Sequence, residues 1–127
     1  MELKKSGCCG GAPRLVFACS GASDVGAVSD QAARRVSRMK LASMGCLVAV
    51  ANGLDFAMDP VKAAERIIVI DGCPENCAKI IMEKAGLTSY DYIQLAELGM
   101  EKGHTKVEQE QIARAYDRAE AILSDRH

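Results

Sequence analysis

Ile67-Ile68-Val69-Ile70 places four large apolar residues in a row with no polar interruption. Such a run reads as a strand buried on both faces. Leu15-Val16-Phe17-Ala18 reads the same way, and Cys46-Leu47-Val48-Ala49-Val50-Ala51 predicts a further strand between these two. Tyr90–Glu97 alternates, with Ile93 and Leu95 set against Tyr92, Gln94 and Ala96, as an edge strand does. Between these runs the period changes. Val25, Val28, Ala32, Val36 and Met39 recur at three and four, predicting a helix from about Asp24 to Met44 that Gly45 closes. Leu54–Arg66 predicts a shorter helix with a fresh start at Pro60. After the Ile-rich strand, Asp71-Gly72 breaks the chain. Cys73 then falls at an N-cap, Pro74 at the first helical position and Cys77 about one turn further on. That helix runs to Ala85 and stops at Gly86. Thr105-Lys106-Val107-Glu108 has the capping-box pattern, and Ile112, Ala115, Tyr116, Ala119, Ile122 and Leu123 give the last helix its buried stripe.

Strands that alternate with helices predict a single α/β domain over residues 14–124, with a parallel four-stranded sheet in the order 2-1-3-4 and helices on both faces, Rossmann- or flavodoxin-like. Residues 1–13 form an expected flexible arm that carries Cys8-Cys9-Gly10-Gly11. In this topology the first and third strands are neighbours. Their carboxyl ends open the crevice where such folds bind ligands.

Composition narrows the classes. The 127 residues include 16 Lys+Arg against 17 Asp+Glu, no Trp and only 4% aromatics, so neither a nucleic-acid surface nor a base-stacking platform is expected. No apolar run approaches the roughly 18 residues of a membrane span, and Met1–Gly11 lacks the apolar core of a signal peptide. The expected location is cytoplasmic. Six Cys in a reducing cytosol point to metal binding or redox chemistry before structural disulfides.

The topology brings Cys19, at the end of the first strand, beside Cys73 and Cys77, which follow the third. Adjacent strands lie about 4.8 Å apart. Sulfurs in a tetrahedral zinc site lie about 3.8 Å from one another, given Zn–S near 2.3 Å. The fourth ligand stays open. If Cys46 begins the second strand at the bottom of the sheet, it lies roughly 15–20 Å from the carboxyl edge. Cys8 or Cys9 could fold back over that distance, His104 lies in the loop after the fourth strand, and water or substrate could fill the position. Asp71, at a strand end before a Pro-started helix, is expected to cap backbone N–H groups more than to act as a base.

Taken together, Cys8-Cys9-Gly10-Gly11, Phe17–Gly26, Cys46-Leu47, Asp71-Gly72-Cys73-Pro74, Cys77 and Leu98-Gly99-Met100-Glu101-Lys102-Gly103 resemble the DGC-domain family, named for its Asp-Gly-Cys motif. The resemblance runs from about residue 8 to 123. It implies zinc binding by four chelating cysteines, which map onto Cys19, Cys46, Cys73 and Cys77, and it implies no particular reaction.

Three functions follow. The first is a zinc-binding domain for metal carriage or sensing, with a metal ion as its partner. The second is an enzyme with a Cys19 nucleophile, because a strand, Cys, small-residue loop and helix also resemble the phosphocysteine loop of sugar-phosphotransferase B components. Low-molecular-weight tyrosine phosphatases need an Arg six positions after the Cys, where this chain has Val25. The third is thiol–disulfide chemistry between Cys73 and Cys77.

Overall fold

The computed structural model describes residues 13–72 and 74–124. Cys8, Cys9 and Cys73, with nearly all of the expected N-terminal arm, lie outside these residues. The described chain forms β1 (Arg14–Ala18), α1 (Asp24–Arg38), β2 (Ser43–Met44), α2 (Leu47–Ala51), α3 (Asp55–Ala63), β3 (Arg66–Asp71), α4 (Cys77–Lys84), β4 (Asp91–Gln94) and α5 (Gln109–Ser124), with a 3₁₀ turn at Leu95–Leu98. The four strands are all parallel, in the order β2-β1-β3-β4. This is the expected α/β sheet. None of the described helices is long and apolar enough to cross a membrane.

Strands β1 and β3 pair along their whole length, from Arg14 opposite Arg66 to Ala18 opposite Ile70. Their side chains alternate between two cores. Val16, Ala18, Ile68 and Ile70 face α1 and α5, whereas Leu15, Phe17, Ile67 and Val69 face α2, α3 and α4. A strand apolar at every position is what two covered faces require. The helices that follow β1 and β3 therefore lie on opposite sides of the sheet.

The second strand is not where the apolar run predicts it. Cys46 caps α2, and Leu47–Ala51 is helical. Leu47 and Val50 are buried while Val48 is 70% exposed, a spacing of three that suits a helix laid on one face. A short apolar run does not separate the two periods. The pairing falls instead on Ser43 and Met44, opposite Leu15 and Val16. Helix α1 accordingly ends at Arg38, and Lys40 turns the chain at φ +62°. Gly45 is a packing residue: a Cβ there would lie 2.4 Å from the Phe17 ring.

Two helix starts also differ. Helix α4 begins at Cys77 rather than Pro74, after Asn76 in the left-handed region at φ +58°. Asn76, rather than residue 73, is therefore the N-cap of this helix. Helix α5 begins at Gln109, so Thr105 is not its cap, and the Thr105 hydroxyl donates to the Glu101 carbonyl.

Candidate functional site

At the carboxyl end of β1 the Cys19 N–H donates to the Ile70 carbonyl at 3.1 Å, which extends the ladder by one residue. The Cys19 Sγ is half-buried and has two polar neighbours. The Gly72 N–H donates to it at 3.2 Å, and the Ser29 Oγ lies 3.1 Å away. Ser29 is fully buried on α1 and donates its own proton to the Gly26 carbonyl at 2.8 Å. A neutral Cys19 thiol then donates to Ser29, while a thiolate would draw the Ser29 proton toward itself. A backbone N–H on sulfur is the kind of outer hydrogen bond that orients metal-bound cysteines.

Gly72 makes this contact possible. Any Cβ at Gly72 would lie 2.5 Å from the Val25 carbonyl oxygen, so only glycine lets the loop after β3 approach α1 closely enough to reach the sulfur. Asp71 holds the other side of the same loop. It is 1% exposed and accepts N–H bonds from Ala78 at 2.8 Å and Lys79 at 3.0 Å, capping α4 across five intervening residues, as expected. Its third partner is the Tyr92 hydroxyl at 2.6 Å. That hydroxyl also lies 2.8 Å from the Asn76 Oδ1, which accepts in addition from the Gln94 Nε2. Burial first, and the bond to Asp71 second, push the Tyr92 phenol far above its ordinary range, so it remains a proton donor. Gly72 directly follows β3, and Asn76 is bonded to Tyr92 and Gln94 of β4.

Cys46 lies at the carboxyl edge, not at the bottom of the sheet. Because β2 is Ser43–Met44, Cys46 follows the strand instead of starting it. Cys19 and Cys46 line one open cavity of about 500 Å³ together with Ser20, Asp30, Arg34 and Val48. Asp30 accepts from the Ser20 hydroxyl and the Arg34 Nε, both at 2.8 Å, and so fixes the polar wall. Ile81 of α4 also lines the cavity. Cys77 lies four residues before Ile81, on the same helix face, and is exposed. Cys19, Cys46 and Cys77 are not in disulfides.

His104 is exposed in the loop after the 3₁₀ turn. Asp24 fixes that loop by accepting from Gly103 N–H and Thr105 N–H, both at 3.0 Å. These bonds, Gly103 first, hold the Asp24 carboxyl below its ordinary value. Among the described residues, no three His, Cys, Asp or Glu side chains are grouped to hold a metal ion. Ser29, Tyr92, Asp30 and Arg34 were not singled out from sequence as site residues. Only Ser29 left a signal there, as a polar residue on the apolar stripe of α1.

A family model described as the DGC domain matches residues 15–119. The chain belongs to the DGC-domain family. A relative of this DGC-domain protein, the anaerobic and virulence modulator AnvM of Pseudomonas aeruginosa, is 31% identical over 88 residues, which cover 69% of this chain and 67% of the relative. No solved structure matches. The Asp-Gly-Cys signature now has a physical reading for its first two positions. Asp71 caps a helix, and Gly72 permits the close approach that aims an N–H at the Cys19 sulfur.

Proposed function

We propose that this DGC-domain protein is a cytosolic zinc-binding protein that uses the thiolates of Cys19, Cys46, Cys73 and Cys77, and that it serves metal carriage or sensing. One observation carries the reading. Cys19 and Cys46 line a single cavity at the carboxyl edge, and the residue that donates to the Cys19 sulfur is Gly72, the immediate neighbour of Cys73. The donor set suits zinc: soft sulfur ligands, with a backbone donor already placed on one of them. Bound zinc would supply charge for the thiolates and, with three of them, an open position from which metal can leave. Four thiolates would close the site for storage. A relative named as a modulator favours sensing over storage.

The phosphate-loop alternative is weakened by what surrounds the start of α1. The Ser23 hydroxyl takes the Gly26 N–H at 3.1 Å, and the Asp24 carboxylate takes the Val25 N–H at 2.7 Å. Those donors are engaged, and a carboxylate stands where a phosphate would need positive field.

Cobalt substitution tests the proposal. The expected spectrum has tetrahedral ligand-field bands and thiolate charge-transfer intensity that falls stepwise in Cys19→Ser, Cys46→Ser and Cys77→Ser variants. Purified protein that takes up neither zinc nor cobalt, or whose spectrum is unchanged in all three variants, overturns it.

A further inference from the structure

Arg34 lines the same cavity as Cys19 and Cys46, with its side chain 58% exposed. Its Nε donates to Asp30 at 2.8 Å, and its two terminal nitrogens have no acceptor among the described residues. The other Asp30 oxygen accepts from the Ser20 hydroxyl at 2.8 Å. That bond holds Ser20 in the left-handed region at φ +51°, which few residues other than glycine adopt. Asp30 thus fixes both neighbours and leaves the outer edge of the guanidinium open. Met44, Val48 and Ile81 add apolar surface to the lining. Val48 is 70% exposed, more than any other large apolar side chain among the described residues. Apolar surface left bare on a concave wall marks a place where an apolar group gains by docking. The volume of about 500 Å³ falls within the range of roughly 300–1,000 Å³ found for small-molecule sites.

We propose that this cavity binds a small organic monocarboxylate with an apolar body. The planar outer edge of a guanidinium matches a carboxylate through two parallel N–H···O bonds. Charge then selects among the anions. Asp30 offsets the positive charge of Arg34, so the wall is near neutral. A singly charged carboxylate suits such a wall, whereas a phosphate monoester brings about 1.5 to 2 negative charges near pH 7. The apolar body of the ligand covers Met44, Val48 and Ile81 and takes the Val48 side chain out of water. None of the residues that make these contacts is a proposed zinc ligand, so the inference stands apart from the metal reading.

Octanoate, 1-octanol and octyl phosphate share one apolar chain and differ in the head group. Each is titrated into the reduced, metal-free full-length chain, with backbone amide NMR shifts as the readout. Octanoate is expected to shift the amides of Ser20, Arg34 and Val48. Both 1-octanol on the native chain and octanoate on Arg34→Gln should bind about tenfold more weakly, the factor lost with a charge-assisted hydrogen bond. Octyl phosphate should also bind more weakly than octanoate. Val48→Ser should weaken octanoate about threefold through lost apolar contact. Arg34 is exposed, so its substitution leaves the core intact. No octanoate binding, equal affinity for octanoate and 1-octanol, or an unchanged affinity in Arg34→Gln overturns the inference. Shifts confined to Gly53, Met58 and Lys84, which line a second cavity of about 440 Å³, overturn it too. Tighter binding of octyl phosphate than of octanoate overturns the assignment to a monocarboxylate. Zinc uptake measured on the same preparation keeps the two proposals distinct. Octanoate that binds a chain unable to take up zinc defeats the metal reading alone, and zinc uptake without octanoate binding defeats this inference alone.

Discussion

The two loops that carry the cysteines solve one problem in opposite ways. Both leave a central strand and enter a helix whose first N–H groups need partners. After β1 the solution is local. Ser23 caps α1 directly, and the preceding loop is left to present Cys19 to the cavity. After β3 the solution is remote. Asn76 gives α4 no side-chain cap, and the carboxylate of Asp71, still inside the strand, reaches across the loop to cap it. The first loop is thus held by its own residues, the second by strand ends and by Tyr92. They meet where the Gly72 N–H touches the Cys19 sulfur. The sulfur of one loop is oriented by the backbone of the other, so damage to the β3 loop should reach the chemistry of β1.

The sharpest way to break this arrangement is Gly72→Ala. Its Cβ would meet backbone atoms of Val25 at 2.5 and 2.6 Å, which no side-chain rotation relieves. The expected loss is about 4 kcal/mol in chemical denaturation, with slower alkylation of Cys19 as the N–H withdraws. A neutral result would mean that the loops are not in contact. Asp71→Ala comes next. It leaves two helix N–H groups without their acceptor and the Tyr92 hydroxyl with Asn76 alone, at a cost of about 3 kcal/mol, whereas Asp71→Asn keeps one acceptor and should cost less. Equal losses in the two variants would count against the capping role.

The local cap is expected to matter less. Ser23→Ala should cost about 1 kcal/mol and leave metal or thiol chemistry at Cys19 nearly unchanged. If Ser23→Ala destabilised the protein as much as Asp71→Ala, the contrast between local and remote capping would fail. The smallest effect concerns pH. Asp24 has a folded pKa below its ordinary value of 3.8, so its contribution is present above that value and disappears as pH falls through the lower folded one. Amide exchange at Gly103 and Thr105 should accelerate on acidification below about pH 4, and Asp24→Asn should remove the step. Unchanged exchange across that range would show that Asp24 does not hold the 99–105 loop.

Much of this was legible in the chain. The Ile-rich run and Leu15–Ala18 marked the two central strands, because a strand with both faces covered tolerates no polar position. The sheet order followed from the element sequence and from the right-handedness of crossovers. The capping role of Asp71 was readable from its place at a strand end. Cys46–Ala51 was not. Six small and branched apolar residues satisfy either period, and the choice was made by the sheet's need to pair Ser43-Met44 with β1 and by Phe17, which leaves room only for Gly45. That choice carried Cys46 from the expected bottom of the sheet to its carboxyl edge.

Sequence by itself determined which segments are buried, the order in which they stack, and the residue types available for chemistry. These depend on hydrophobic period and on side-chain identity, both of which are local. Tertiary structure alone decided that the Gly72 N–H and the Ser29 hydroxyl converge on Cys19, that Tyr92 braces Asp71, and that Cys46 shares a cavity with Cys19. Those contacts join residues from separate elements, and hydrogen bonds across such distances in the chain are fixed only once the sheet and its helices have packed.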